Sequence, residues 1–174
     1  MLKHLVFFFD LLYNVFGDLM KKITIISLFI LLVDQIIKYI VINNMSLYKS
    51  IEIIPNFFNI TYVENIGAAF SILSGNVLFL ILISLIAIIL IYLFLIKNKK
   101  LNKLQITMYS LLIGGIIGNL VDRIFRGFVV DYLDFSIFGY NFPIFNFADV
   151  CIVLSAIALL FINIKEEKND THSN

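Results

Sequence analysis

Long apolar runs separated by short polar stretches dominate this chain, and the runs have the length of membrane spans. Residues 77–96 read VLFLILISLIAIILIYLFLI, with no charge at all. Residues 23–42, about 104–124 and 148–164 are also apolar over the roughly 17–25 residues that cross a bilayer as a helix. The first of these is interrupted by Asp34, Gln35 and Lys38, and the third turns polar toward its end. The runs are continuous rather than alternating, which favours helices over barrel strands, and a helix satisfies its own backbone in lipid. The pattern predicts a mainly α membrane protein with four transmembrane helices.

Two of the connecting segments have patterns of their own. Within 43–76, β-branched or apolar runs at 51–54, 57–63 and 68–73 are punctuated by Pro55, Asn65 and Gly67, which reads as short strands and turns. This predicts a small β-rich subdomain on the membrane surface; a collapsed loop is the alternative. The stretch 138–145 lies where a flap over a site would sit. At the N-terminus, Leu5, Phe8, Phe9, Leu12, Phe16 and Leu19 recur near helical spacing, while Asp10 and Asp18 break any signal-peptide core. Residues 1–19 are therefore either an interfacial amphipathic helix or sequence upstream of a start at Met20. The expected organisation is this extension, one membrane domain over 20–165 and a tail over 166–174.

Composition narrows the function. At 61% hydrophobic and 14% charged, with a mean hydropathy of +0.99, the chain does not resemble a soluble globular protein. A net charge of +1 with dispersed basic residues gives no nucleic-acid footprint. Cys151 is the single cysteine and the two histidines, His4 and His172, lie near the ends, so neither a disulfide, a Cys or His metal site, nor a Ser-His-Asp triad is expected. No metal or cofactor is implied. A serine–lysine pair would need Ser46, Ser50, Ser71 or Ser74 near Lys38 or Lys49. Lysines set the orientation. Lys21 and Lys22 precede the first span, Lys97, Lys99, Lys100 and Lys103 join the second to the third, and Lys165 and Lys168 follow the fourth. The positive-inside rule then puts both termini and the 97–103 loop in the cytoplasm, with 43–76 and 123–147 outside.

In that orientation Asp34, Lys38, Asn119, Asp122, Arg123 and Asp149 all fall in the outer leaflet or at its surface. Asp34 and Lys38 are four apart and Asn119 and Asp122 three apart, so each pair shares a helix face. Such groups either build a site or act as interhelical glue. Gly114, Gly115 and Gly118 read as points of close helix approach. Asp131 and Asp149 make the best candidate catalytic pair, since two carboxylates in a partly dry pocket hold one proton between them and activate water. Asp134 competes with Asp131, and Asp149 could instead be a helix cap. A transporter would need polar groups on both sides of the midplane, which this pattern lacks. A non-catalytic lipid-binding protein would not need two carboxylates within a proton's reach.

Five blocks at these residues resemble lipoprotein signal peptidase, the bacterial type II signal peptidase: DQIIK at 34–38, ENIGAAFSIL at 64–73, GGIIGNLVDR at 114–123, VVDYLDF at 129–135 and FNFAD at 145–149. The resemblance covers about 20–164. It implies that Asp131 and Asp149 are the catalytic aspartates of an aspartic endopeptidase, and that Asp34, Lys38, Asn65, Asn119, Asp122, Arg123 and Asn146 shape the site or contact substrate. Asp134 falls outside the matching position. Tyr132 stands where Phe is common, and Glu64 precedes Asn65 where other residues occur. The implied partners are lipidated prolipoprotein signal peptides and membrane phospholipid, the implied location is the bacterial inner membrane, and the enzyme is expected to act as a monomer.

Overall fold

The structure, a computed structural model, describes residues 2–67, 75–97 and 101–172, and the side chains of most of 17–166. The third expected strand, at 68–73, lies outside the described residues. Among the described residues, four helices and four strands follow one another as α1 (Leu2–Asn44), β1 (Ser50–Ile54), β2 (Phe58–Asn65), α2 (Val77–Lys97), α3 (Lys103–Arg126), β3 (Val129–Ile137), β4 (Tyr140–Asn141) and α4 (Phe147–His172). Each helix contains a stretch long and apolar enough to cross a membrane: Gly17–Asn44, Val77–Leu95, Lys103–Arg126 and Phe147–Glu166. The first begins where α1 breaks, at Gly17 with φ 69°.

Helix α3 is the hub, packed against α1, α4 and α2. Half of its span is buried, against 6% for α2, whose apolar surface is left for lipid. Lipid tails are as apolar as leucine, so close fit rather than water exclusion holds such helices together. Glycines provide that fit. A Cβ on Gly114 would stand 2.7 Å from Ile30 Cβ, one on Gly115 2.6 Å from the Ala148 carbonyl oxygen, and one on Gly118 2.6 Å from Asp34 Oδ2. The glycines thus let α1 and α4 each approach α3 closely, and Gly118 leaves room for the Asp34 carboxylate.

The strands form one antiparallel sheet in the order β1-β2-β3-β4. It meets the helices through a buried cluster of Val41, Tyr62, Val130 and Tyr132; a second cluster, around Ile23, Leu95, Tyr109 and Ile113, holds the helices together. Helix α3 ends at Gly127, in the left-handed region at φ 81°, with its N–H on the Arg123 carbonyl. That cap turns the chain into β3 within two residues. The first four residues of β3 are buried, and Val63 pairs opposite Asp131. The chain then reverses through Phe138 and Gly139, both at positive φ, as a tight hairpin turn requires. The returning strand does not stop at β4. Phe145 exchanges backbone hydrogen bonds with Leu133, 2.7 and 3.1 Å, and its ring stacks on Phe135, which stacks on Phe58. This folding back delivers 146–149 to the side of β3.

Candidate active site

The start of α4 shows how the sequence builds one half of the site. A helix begins with amides that lack an intrahelical acceptor, and here side chains take four of them. Asn146 Oδ1 accepts the Asp149 N–H at 2.9 Å while Asp149 Oδ2 accepts the Asn146 N–H at 3.2 Å, a reciprocal cap. The Phe147 N–H goes to the Tyr132 hydroxyl and the Ala148 N–H to Asp34 Oδ1. Asn146 is therefore the cap residue, and Asp149, one turn in, keeps Oδ1 for a bond from Asn119 Nδ2 at 2.7 Å. The Tyr132 hydroxyl is thus occupied by this helix start.

Asp131 completes the site from β3. Its Oδ2 accepts Asn65 Nδ2 at 2.8 Å and its Oδ1 accepts Asn146 Nδ2 at 2.7 Å. Asn146 thus touches both carboxylates, one through its side chain and one through its backbone. Burial, then the neighbouring Asp149 charge, pushes the Asp131 carboxyl up to about 7, against a smaller pull from its two asparagine donors. At neutral pH this is the range in which a carboxyl both holds and releases a proton.

Beneath the pair lies a buried ion cluster. Lys38 Nζ reaches Asp34 Oδ2 at 2.9 Å, Asp122 Oδ2 at 2.8 Å and Asn119 Oδ1 at 3.0 Å, and Lys38, Asp34 and Asp122 have no exposed side-chain surface. Its three ammonium protons are committed, so Lys38 is unavailable as the base of a serine. Arg126 pairs with Asp122 and donates to Gln35, whose amide donates to Asp34 and Asp122. Asp122 Oδ2 also accepts the Val130 N–H, tying the cluster to β3. The sequence reading missed Gln35 and Arg126. Arg126 stands four residues after Asp122, a spacing that could have suggested the pair; Gln35 reaches partners over 80 residues away, which no local pattern reveals.

A cavity of about 590 Å³ opens beside the carboxylates. Its polar wall is Asn65, Asn119, Arg123, Asp131 and Asp149; the rest is apolar, from Phe142–Phe145 and the first turns of α4, including Val150, Val153 and Leu154. Arg123 donates to the Gly67 carbonyl at 3.1 Å, holding the chain after β2 at the rim. Of the residues singled out from sequence, Asp34, Lys38, Asp122 and Asn146 do not line the cavity and support it from behind. Asp134 is three residues from Asp131 along one strand, hence on the opposite face, where its carboxylate accepts the Thr61 hydroxyl at 2.6 Å. Half of the stretch expected as a flap, Phe142–Phe145, is cavity wall.

Residues 26–165 match the family described as signal peptidase (SPase) II. The chain belongs to this family. Lipoprotein signal peptidases of Staphylococcus aureus strains JH9 and Newman are each 41% identical over 145 residues, covering 83% of this chain and 89% of theirs. Two bacterial membrane enzyme structures obtained by the in meso method also resemble it at 40% identity. One, at 2.3 Å resolution, aligns with a TM-score of 0.79 over 84% of this chain and 90% of its own. The other, at 1.9 Å, gives 0.74 over 82% and 92%. The four-helix architecture with its small antiparallel sheet is thus shared with solved members of this class of enzyme, and the chain is a multi-pass bacterial membrane peptidase.

Proposed function

We propose that Asp131 and Asp149 are the catalytic pair of this signal peptidase, which removes signal peptides from diacylglyceryl-modified prolipoproteins by cutting on the amino side of the lipidated cysteine. The observation that carries this reading is Asn146, which donates one N–H to each carboxylate at the polar end of an otherwise apolar cavity. One carboxylate takes a proton from water, and the hydroxide adds to the scissile carbonyl carbon. The partner carboxyl gives its proton to the carbonyl oxygen, leaving a tetrahedral diol. The first carboxyl then protonates the leaving nitrogen as the C–N bond breaks, and the second recovers its proton from the diol. Asn65, Asn119 and Asn146 hold the pair in place; Asp34, Lys38 and Asp122 hold the asparagines and the start of α4. Arg123, charged and on the cavity wall, suits a substrate carbonyl or a lipid phosphate. The apolar walls suit a signal-peptide segment with acyl chains left in the surrounding phospholipid.

The distribution of lysines supports cytoplasmic termini and a site at the outer leaflet. One chain supplies both carboxylates and the cavity lining, which supports action as a monomer. The test is release of signal peptide by purified enzyme from matched prolipoproteins with and without the diacylglyceryl group on cysteine. The expected result is cleavage of the lipidated form alone; equal cleavage of both would refute the substrate assignment.

A further inference from the structure

We infer that the two carboxylates are unequal, with Asp149 the ionised member that takes the proton from water and Asp131 the protonated one, because Lys38 acts on Asp149 through Asn119. This rests on the catalytic pair proposed above and assigns a role to each member.

The asymmetry is in what stands behind each hydrogen bond. Both carboxylates accept two N–H bonds, so their number does not distinguish them. The Asp131 donors are Asn65 and Asn146, whose amide oxygens accept backbone N–H groups, of Gly67 and Asp149 respectively. The Asp149 donor Asn119 has the Lys38 ammonium on its oxygen at 3.0 Å, and its nitrogen lies 2.7 Å from Asp149 Oδ1. A cation on the oxygen of an amide polarises it and makes its N–H a stronger donor, an effect enlarged where water is excluded. Among the described residues, Lys38 on α1, Arg123 on α3, and Asp131 and Tyr132 on β3 interact electrostatically with Asp149. The Lys38 charge attracts both carboxylates directly, so its distinguishing path is the bond through Asn119, and Arg123 attracts Asp149 more strongly than Asp131. Asp131 repels Asp149, and Asp34 and Asp122 are paired to Lys38. The Tyr132 phenol is pushed above its ordinary range by burial and stays neutral. Lys38 is thus a positioning residue that acts through another; it does not line the cavity. In the reaction, Asp149 removes a proton from water as Asp131 protonates the carbonyl oxygen. Asp149 then gives its proton to the leaving nitrogen, and Asp131 regains its own from the diol.

The test is the pH dependence of kcat for purified Asn119→Leu with a lipidated prolipoprotein. This change keeps both Lys38 ion pairs and removes the link. Ionisation of the pair's first member sets the acidic limb, which is expected to move up by about one pH unit or more, as loss of a charge-backed donor implies. The basic limb, set by Asp131, is expected to stay in place. A charge-neutral double change, Lys38→Met with Asp34→Asn, leaves Asn119 present but unpolarised. It is expected to move the same limb and decides the matter if Asn119→Leu does not fold. A lowered kcat with an unmoved acidic limb would mean that Asn119 only packs, and displacement of the basic limb alone would reverse the two roles; either result overturns the inference. The outcome is separable from the pair itself. If Asp131→Asn and Asp149→Asn are inactive while the limbs stay fixed, the relay fails and the pair stands.

Discussion

At the residue scale, Asn146 has three roles: its side-chain oxygen caps α4, its side-chain N–H donates to Asp131, and its backbone N–H donates to Asp149. Asn146→Ala is expected to cost about 1 kcal/mol of stability through the lost cap. It should also lower kcat about 10²-fold, because a displaced carboxylate loses attack geometry; thermal unfolding and turnover measured together check both. The raised Asp131 carboxyl gives a sign for pH. Activity requires one proton on the pair, so kcat should fall as pH rises through about 7, where Asp131 loses its proton. A rate still rising well above that pH would contradict this. The carboxylates themselves were legible in the sequence as charges in an apolar chain, but the choice between Asp131 and Asp134 was not readable from spacing. It becomes physical once β3 is a strand: positions three apart face opposite ways, one into the cavity and one onto Thr61.

At the element scale, helices were the legible part, because a run such as 77–96 leaves no other structure for its backbone in lipid. Strand β3 was not. VVDYLDFSI lacks apolar alternation because its first four residues are all buried, wedged between the helices and β2. Nor did the pattern show that Phe145 would return to Leu133 and bring Asn146 with it. Two glycines, one within α3 and one capping it, have testable duties. Gly115→Ala places a Cβ 2.6 Å from a backbone oxygen of α4, which cannot rotate away. It should cost about 1–3 kcal/mol through overpacking and reduce turnover by shifting the start of α4. Gly127→Ala, forced to φ 81°, should cost about 1–2 kcal/mol with a smaller effect on turnover. Unfolding midpoints in detergent separate the two.

At the scale of the whole molecule, the cavity lies where the sheet, α3 and α4 meet, with its ion cluster buried behind it toward α1. Charges without exposure are tolerated here because every partner is present: Lys38 has two carboxylates and an amide, and Asp122 has Lys38, Arg126, Gln35 and a backbone N–H. Removing one member of such a cluster typically costs about 3–5 kcal/mol, so Lys38→Met alone should lose folded yield, a defect that the compensating Asp34→Asn partly restores. The long-range pairings in this cluster were beyond the reach of the sequence, although Asp34 and Lys38 on α1 and Asn119 and Asp122 on α3 were visible one helix at a time. The proposed orientation is open to a direct check. A cysteine placed at Asn56, at the turn between β1 and β2, should react with an impermeant thiol reagent on intact cells. One at Lys103 should react only after permeabilisation, and the reverse pattern would invert the topology.

The central claim is that Asp131 and Asp149 together perform the cleavage. The most direct test is single-turnover release of signal peptide from a lipidated prolipoprotein by purified Asp131→Asn and Asp149→Asn, each checked for an intact thermal transition. Folded but inactive protein in both cases, with rates at least about 10³-fold below the parent enzyme, is the predicted result; near-parent turnover by either folded variant would contradict it.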